Sequence, residues 1–311
     1  MEKTFSNSLA RSFYSSDFEF DETTVKQSIS TFVETPLTAA AADAAADASA
    51  RSWHRFYGMH GGHFFHSRSY LYEAFPQLKP HITENVSSFG TAIVLELGCG
   101  NGSNIWPLTA QFSKEVNIFA SDVTPTALRA IRSNPIFEKE KERIRLFLFD
   151  ISKNSLPIDP PGMILTESPR SEQIMELNRS FQVLPNEIAT GQVDAILCTF
   201  VLSALHPRDH SSSFINSCSI LKKNGMLFFR DYGIGDAAFL RMGTEARLQE
   251  RLFKRGDGTL AYFFTKHEIQ LHLENAGFHI LQLDYHTVKN HNRKTGITMM
   301  RVFLNGVAIK L

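Results

Sequence analysis

From residue 92 onwards the chain alternates short apolar runs with longer mixed segments. Seven runs of strand length share a high content of large apolar residues: Ile93–Leu97, Val116–Ala120, 144–149, 193–200, 226–229, 278–288 and 298–307. Runs without a clear polar face are typical of strands that are buried on both sides of a sheet. The pattern therefore predicts an α/β protein whose core strands are mostly parallel.

Helix signals fall between these runs. Helices are predicted over 125–133, 209–221, 236–254 and 266–276. Thr124 is a good N-cap ahead of the first of these helices, and Thr265 has the same place ahead of the last. The segment Lys222–Gly225 supplies lysines and a glycine where a helix C-terminus favours them, so we expect the second helix to end there.

The first predicted strand breaks abruptly into the sequence Glu96-Leu-Gly-Cys-Gly-Asn-Gly102. Glycines at alternate positions allow a sharp turn and a close approach of a ligand to the backbone. Asp122 ends the next strand, where a carboxylate can accept hydrogen bonds from both hydroxyls of a ribose. The Gly-x-Gly-x-x-Gly spacing of nicotinamide enzymes is absent, and the motif is similar to the first motif of S-adenosylmethionine-dependent methyltransferases. A structural glycine turn is the alternative.

The N-terminal part divides at about residue 50. Residues 1–50 are poor in large apolar residues and end in an alanine tract with nothing to bury, so a mostly disordered tail is predicted. Residues 51–90 form an aromatic leader, in which Trp53, Phe56, Tyr57 and His60 fall on one face of a helix. Two interpretations remain open. The face packs on the core, as single buried aromatic residues usually do. Alternatively, the whole aromatic and histidine-rich segment forms a surface that stacks bases and contacts phosphates.

Composition and charge narrow the class of protein. The 311 residues contain no apolar run long enough to span a bilayer. Three cysteines without a close-spaced pair favour neither a disulfide framework nor a metal site, and fit a reducing intracellular compartment. The net charge is zero, yet residues 1–50 hold three Lys/Arg against eight Asp/Glu, and residues 222–311 hold 14 against 8. The basic C-terminal third suits a polyanion, or is an ordinary solvated face.

Further motifs point to one family. They include the leader sequences Trp53–His60, Phe64-Phe65 and Leu71–Leu78, the glycine motif Leu95–Gly102, and the segments Phe200–Pro207, Leu227–Gly233, Arg255–Thr259, Tyr262–Thr265 and Arg301–Phe303. Together they resemble the tRNA N3-methylcytidine methyltransferases. The pairing of Phe-Val-Leu-Ser-Ala-x-His-Pro with Phe-Arg-Asp-Tyr-Gly is specific to that family. The resemblance covers about 51–311, apart from a proline-punctuated surface insertion at about 153–191, with a possible short helix over 172–181.

This resemblance implies a Rossmann-like class I methyltransferase domain over 91–311. Its mostly parallel seven-stranded sheet would have helices on both faces and an antiparallel last hairpin. The cofactor would be S-adenosyl-L-methionine, bound by Trp53, Tyr57, Gly98, Gly100, Asp122, Asp150, Ile151 and Thr199. The aromatic leader would fold over this site, so deletion of residues 1–80 is expected to abolish cofactor binding and deletion of 1–48 to leave it. From its position alone, Asp150 is otherwise a helix cap or turn residue.

The implied reaction is methylation of cytidine N3 in a tRNA anticodon loop, at position 32. Because that nitrogen has a free lone pair, the reaction needs charge stabilisation rather than a strong base. Asp231, after the fifth strand, is the candidate for stabilising the cationic ring; otherwise it is a buried partner of Arg230 or a turn acid. Tyr232 would stack on the base. Arg301, Arg255 and His206 are further candidates for gripping the base or a phosphate, as is the basic loop 289–296.

Several features leave alternatives open. His66-Ser67 replace a usual lysine–aspartate pair, Thr199 replaces isoleucine, and Tyr285-His286 lack arginines that some branches carry. The acceptor could be another RNA or a small molecule, or the chain could be a catalytically silent RNA-binding subunit. Besides tRNA, a protein partner such as an aminoacyl-tRNA synthetase or another RNA-binding protein is possible. Binding to a membrane is not expected. We expect a cytoplasmic location, with a nuclear one possible and a mitochondrial one disfavoured by early acidic residues.

Overall fold

A computed structural model of the protein describes residues 16–30, 39–60, 70–153, 181, 184–292 and 296–311. Part of the aromatic leader (Phe64, Phe65, His66 and Ser67), the possible helix over 172–180 and residues 293–295 of the basic loop lie outside the described residues. Among the described residues, no helix has the length and apolar character needed to cross a bilayer.

Nine strands follow each other along the described chain: β1 Ala92–Leu97, β2 Val116–Asp122, β3 Ile144–Leu148, β4 Val193–Thr199, β5 Leu221–Tyr232, β6 Leu252–Lys254, β7 Leu260–Tyr262, β8 Phe278–His291 and β9 Thr298–Lys310. Seven of them form one sheet in the order β3-β2-β1-β4-β5-β9-β8. The pairs among β1 to β5 are parallel, whereas β9 is antiparallel to β5 and β8. The predicted seven-stranded, mostly parallel sheet with an antiparallel last hairpin is confirmed.

Helices cover both faces of this sheet: α1 Glu22–Ser30, α2 Ala39–Asp47, α3 Ser49–His60, α4 Leu71–Ala74, α5 Leu78–Phe89, α6 Ile105–Gln111, α7 Pro125–Arg132, α8 Pro135–Glu140, α9 Asn186–Ala189, α10 His210–Ile220, α11 Ala237–Arg241 and α12 Lys266–Asn275. One core cluster joins Leu95 and Leu97 of β1 to α10 and α12, and a second joins Val94 to α5, α6 and α7. The predicted caps are confirmed, since the hydroxyl oxygens of Thr124 and Thr265 accept from backbone N–H groups of their helices.

One predicted helical segment and one predicted helix terminus have a different structure. Only 237–241 and a short 3₁₀ turn over 244–246 are helical within 236–254, and the segment then enters β6. Leu252 and Phe253 of β6 are buried and pair with β7, which follows after the tight turn at 255–259. This strand pairing overrides the helical spacing of apolar residues in the sequence. Residues Lys222–Gly225 belong to β5, at a bulge where the pairing with β4 shifts, with Asn224 at a φ of 64°.

The prediction of a disordered tail with nothing to bury is wrong for the alanine tract. This tract forms α2, in which Ala42 and Ala45 are buried in the main core cluster. Small side chains allow the helix to approach the sheet domain closely, so few atoms are enough to exclude water there. The predicted leader helix through Trp53 and Tyr57 is α3, which follows α2 after one residue.

Candidate active site

The glycine turn after β1 depends on backbone conformations that only glycine adopts without strain. Gly98 and Gly100 have φ values of +59° and +55°. A Cβ atom on Gly98 would lie 2.6 Å from Cγ2 of Val201, and one on Gly100 would lie 2.6 Å from the hydroxyl oxygen of Tyr57. The turn is therefore closely covered by the loop after β4 on one side and by the leader helix α3 on the other.

A cavity opens beside this turn, at the C-terminal edge of the parallel strands. Seven of the residues predicted from sequence line it: Trp53, Tyr57, Gly98, Asp122, Asp150, Ile151 and His206. The rings of Trp53 and Tyr57 stack with their centroids 5.9 Å apart and form one wall. This edge is where ligands bind in open α/β sheets, so the cavity is the candidate cofactor site.

Two carboxylates stand in the cavity at the ends of neighbouring strands. Asp122 is the last residue of β2, and its carboxylate accepts hydrogen bonds from the N–H groups of Gly100 and Thr124, both at 3.0 Å. Burial raises the pKa of Asp122 to about 6. Asp150 comes just after β3 and accepts from the backbone N–H and the hydroxyl of Ser152, at 3.1 and 2.6 Å. Both side chains are buried, yet each retains acceptor capacity for a ligand in the cavity.

Two of the predicted cofactor residues lie behind the cavity wall. Gly100 sits beneath the Tyr57 hydroxyl, and Thr199 is buried at the end of β4. The amide nitrogen of Asn104 donates to Oε1 of Glu96 at 2.9 Å and to Oγ1 of Thr199 at 2.8 Å. Thr199 therefore takes part in a buried network that links the glycine turn to β1 and β4. Asn104 was missed from sequence because nothing in its local pattern shows these partners.

The N-terminal helices supply a further part of the cavity wall that the sequence did not indicate. Ala46, Asp47, Ser49 and Ala50 line the cavity. The carboxylates of Asp43 and Asp47 lie within ion-pair distance of the Arg208 guanidinium, the latter at 3.6 Å. The Ser49 hydroxyl donates to the Ala204 carbonyl at 3.4 Å. The only local signal was two aspartates four residues apart on one helix face.

Asp231 occupies the edge of the sheet next to this cavity, within β5. It is fully buried, and its two carboxylate oxygens accept from the N–H groups of Ser203 and Tyr232, both at 2.9 Å. Burial raises the pKa of Asp231 to about 6, although the positive charge of Arg255 opposes the rise. The alternative role as an ion-pair partner of Arg230 has no support in the contacts, because that guanidinium donates to Oδ1 of Asn305 at 2.6 Å.

An aromatic and arginine cluster surrounds Tyr232. The ring centroid of Phe200 lies 5.0 Å from that of Tyr232 and 5.5 Å from that of Phe303. The guanidinium carbons of Arg301 and Arg255 lie 5.7 and 5.9 Å from the centroid of the Tyr232 ring. The guanidinium of Arg301 is also held by Asp236, whose carboxylate accepts from Nε at 2.8 Å. The structure thus brings the predicted residues Tyr232 and Arg301 together, and Asp231 directly precedes Tyr232 in β5.

Phe200 connects the two regions. It has a φ of +59°, which is unusual for a bulky residue, and its N–H donates to the Arg230 carbonyl at 2.8 Å. Phe200 lines the cofactor cavity and also contacts the Tyr232 ring. A strained backbone that the surrounding structure holds in place is a common feature of functional sites.

His206 lies on the cavity side rather than in the arginine cluster. Its Nδ1 accepts from the backbone N–H of Arg208 at 3.2 Å, and its Nε2 lies 3.4 Å from the side-chain amide of Gln249. Burial, followed by the positive charge of Arg208, lowers the pKa of His206. His206 was predicted to contact the base or a phosphate. A neutral ring at the cavity suits a positioning role better than binding of a phosphate.

One group of metal-ligand types exists among the described residues, although no metal was predicted. His210, Glu268 and His272 place one donor atom each within 4.8 Å of one another. However, Glu268 accepts from the Tyr262 hydroxyl at 2.7 Å with one oxygen and pairs with Arg251 through the other. The carboxylate is therefore satisfied by protein groups, and the adjacent guanidinium opposes a cation.

The residues around the cavity fit S-adenosylmethionine. Asp122 can accept from ribose hydroxyls, and Asp150 with the backbone of Ile151 can pair with the polar edge of adenine. The glycine turn permits close approach of the backbone, and the Trp53 ring offers an apolar wall. The fold and this site define a class I S-adenosylmethionine-dependent methyltransferase.

Comparisons with known proteins agree with this class. A sequence family described as a methyltransferase domain matches residues 64–283. Two solved S-adenosylmethionine-dependent methyltransferases share the fold. The one from Anabaena variabilis has a TM-score of 0.51 at 14% identity and covers 90% of this chain and 98% of its own. The one from Methanosarcina mazei has a TM-score of 0.50 at 17% identity, with coverage of 76% and 98%.

Curated relatives define the branch. The chain is 31% identical over 254 residues to the tRNA N(3)-methylcytidine methyltransferase Mettl2 of Drosophila melanogaster, covering 81% of this chain and 68% of the relative. It is 29% identical over 262 residues to the human tRNA N(3)-cytidine methyltransferase METTL6, covering 84% and 80%. It is 29% identical over 255 residues to trm140 of Schizosaccharomyces pombe, covering 82% and 72%. The chain belongs to the tRNA N3-methylcytidine methyltransferase family.

Proposed function

We propose that this protein transfers a methyl group from S-adenosylmethionine to N3 of a cytidine in tRNA, within the anticodon loop at position 32. The relatives named above support the reaction and the tRNA substrate. The observation that carries the proposal is the buried Asp231 carboxylate, which accepts from Ser203 in the loop that borders the cofactor cavity and is directly followed by Tyr232 with two arginines at its ring. Phe200 borders both regions.

The chemistry places modest demands on these residues. The bound cofactor supplies an electrophilic methyl group, and cytosine N3 has a lone pair at neutral pH. The ring becomes cationic as the methyl arrives, so an ionised carboxylate nearby lowers the barrier. With a pKa of about 6, Asp231 is mostly ionised at pH 7. Its fixed backbone hydrogen bonds hold both oxygens, so little reorganisation is needed during the reaction.

The aromatic cluster supports recognition of a flipped-out base. Phe200 and Tyr232 offer ring faces on which a pyrimidine can stack, which is how proteins bind unstacked loop bases. Arg301 is oriented by Asp236, so its remaining N–H groups can reach the base carbonyl or a flanking phosphate. Arg255 lies on the same ring and offers a second cation.

The test is incubation of the purified protein with labelled S-adenosylmethionine and tRNA that lacks the modification, followed by nucleoside mass spectrometry. We expect 3-methylcytidine from the wild type and a loss of at least about 100-fold with Asp231→Asn at pH 7. Asp194→Asn is the control, since Asp194 is also a buried strand aspartate but lies at the N-terminal end of β4, away from the edge of the sheet that holds the site. Cofactor binding without any 3-methylcytidine would point to a missing partner or to another acceptor, and it contradicts the proposal if no added partner restores the product. No cofactor binding would favour a silent RNA-binding subunit.

Location and partners complete the proposal, and the same assay tests the partners. We propose that the protein works in a reducing compartment, the cytoplasm, which is supported by three buried free cysteines. Turnover that appears only when an aminoacyl-tRNA synthetase or another RNA-binding protein is added would assign that protein a role in the reaction. Turnover by the purified protein alone would show that tRNA is the only partner required.

A further inference from the structure

An acidic N-terminal segment lies along the edge of the sheet next to Tyr232 and the side chains around its ring, here called the acceptor cluster: Phe200, Phe303, Arg255 and Arg301. Residues 16–22, here called the N-terminal strap, contain Asp17, Glu19, Asp21 and Glu22 and no lysine or arginine. The strap binds the outer edge of β8, the last strand of the sheet. The N–H groups of Asp17 and Phe18 donate to the carbonyl and the hydroxyl oxygen of Thr287, at 3.0 and 3.3 Å.

Some side chains of the strap contact the protein, and others are exposed to solvent. Phe20 is half-buried, with its ring centroid 4.5 Å from that of Tyr285. Glu19 and Asp21 are exposed to solvent. Asp17 accepts from the backbone N–H of the exposed Lys289 at 2.8 Å, and its charge also acts on His286. The strap therefore places the Phe20 ring and the Asp17 carboxylate against the protein and leaves the carboxylates of Glu19 and Asp21 towards the solvent.

The strap reaches the acceptor cluster through two contacts. Phe20 packs against Tyr285, whose ring would meet a Cβ atom on Gly233 at 2.9 Å, and Gly233 directly follows Tyr232. Phe20 also packs with Tyr232 around one small core cluster. The hydroxyl of Tyr285 donates to Glu22 at 2.8 Å, which fixes the start of α1 to the same ring.

We propose that this sheet edge, from Tyr285 to Lys289, docks the RNA backbone next to the methylated base, and that the strap occupies it in the free protein. The inference rests on the proposed function. The edge offers the exposed Lys289 and, once the strap has left, the backbone groups of Thr287 and Lys289 and the ring of Tyr285, which together suit phosphates and an unstacked base. The strap presents carboxylates and phenylalanine rings to the same groups, and RNA competes with it there through phosphates and bases.

The first test is hydrogen exchange of residues 16–22 with and without saturating tRNA. The amides of Asp17 and Phe18 are protected by Thr287 in the free protein, so displacement of the strap by tRNA predicts faster exchange there. Unchanged or slower exchange on tRNA binding would overturn the inference. Peptides from β2 provide the internal reference, because that strand is central and buried.

The second test is the tRNA affinity of the double variant Asp17→Asn/Glu19→Gln, which keeps the shape of the strap and removes two negative charges. We expect binding about three- to ten-fold tighter at low salt, an effect that shrinks as salt screens the charges. Glu138→Gln/Glu142→Gln is the matched control at the β3 edge of the sheet, opposite β8, and is expected to bind as the wild type does. Equal affinities of both double variants would contradict the inference.

These outcomes separate the two proposals. Wild-type protein that neither binds nor methylates tRNA contradicts the proposed function and the inference together. Protein that methylates tRNA, yet retains strap protection and shows no gain of affinity in Asp17→Asn/Glu19→Gln, contradicts the strap inference alone. Binding of S-adenosylmethionine is expected to be unchanged in both double variants, because the substituted residues lie outside the cofactor cavity.

Discussion

The contact between the glycine turn and the leader helix can be tested by Gly100→Ala. A Cβ atom at this position would lie 2.6 Å from the Tyr57 hydroxyl oxygen, whereas Cζ of the ring is 3.5 Å away. Ordinary van der Waals contact begins at 3.4 Å, so the hydroxyl must move by about 0.8 Å. The φ of +55° adds backbone strain of about 1 kcal/mol for any residue with a Cβ.

The displacement affects the cavity wall directly. Tyr57 lines the cavity and stacks on Trp53, so moving one ring disturbs both. We expect the Kd for S-adenosylmethionine to rise about 10- to 100-fold in Gly100→Ala, which corresponds to about 1.4–2.8 kcal/mol of binding free energy. The backbone strain, in contrast, appears in the free energy of unfolding as a loss of about 1 kcal/mol.

Isothermal titration calorimetry of four proteins separates the two effects: wild type, Gly100→Ala, Tyr57→Phe and the double variant. Removing the hydroxyl leaves 3.5 Å between the new Cβ and the nearest ring atom, so Tyr57→Phe is expected to restore most of the affinity lost by Gly100→Ala. Gly90→Ala is the control, because Gly90 has a φ of +79° but no atom within 4 Å of an added Cβ. Wild-type affinity in Gly100→Ala, or no rescue in the double variant, would refute the predicted packing of α3 on the turn.

Three further predictions concern protonation, the N-terminal helices and the buried polar network. Protonation of Asp231 is expected to lower kcat as the pH falls through about 6. Because the pKa of Asp231 is higher in the folded than in the unfolded protein, the free energy of unfolding is expected to rise as the pH falls from 6 towards 3.8. A pH-independent kcat between pH 5 and 7 would contradict this prediction. Deletion of residues 1–48 removes Ala46 and Asp47 from the cavity wall. It is therefore expected to raise the cofactor Kd at least about three-fold, whereas the sequence alone predicted no effect. Deletion of residues 1–15 is the control in the same calorimetric titration and should leave the Kd unchanged. Asn104→Ala removes two buried hydrogen bonds and should cost about 2–3 kcal/mol in urea unfolding, and an unchanged midpoint would rule out the network.

The strand ends of the site were predictable because they depend on local patterns. Gly98, Asp122 and Asp150 each follow a buried apolar run, and parallel strands bring their C-terminal ends to one edge of the sheet. The Thr124 cap was equally local. The leader helix could be predicted from the spacing of Trp53 and Tyr57, but its position over the glycine turn came from the family resemblance.

The missed features depend on partners far along the chain. Helix α2 is held by Arg208, which lies 165 residues from Asp43, and no local pattern encodes that pairing. Its few buried alanines carry almost no hydrophobic signal, so composition indicated disorder instead. The error over 236–254 has a similar origin, because Leu252 and Phe253 gain their burial by pairing with β7. Local propensity is a weak prior wherever tertiary contacts decide the conformation.

The arrangement of the site follows from how the chain leaves β4 and β5. Phe200 turns with a positive φ directly after β4, so its ring lies between the cofactor cavity and Tyr232 at the end of β5. If the methyl group passes from a cofactor in this cavity to a base at Tyr232, as proposed, it passes beside the Phe200 ring, whose backbone is strained but fixed. The N-terminal residues then close both sides, with α2 and α3 over the cavity and the strap beside the acceptor cluster.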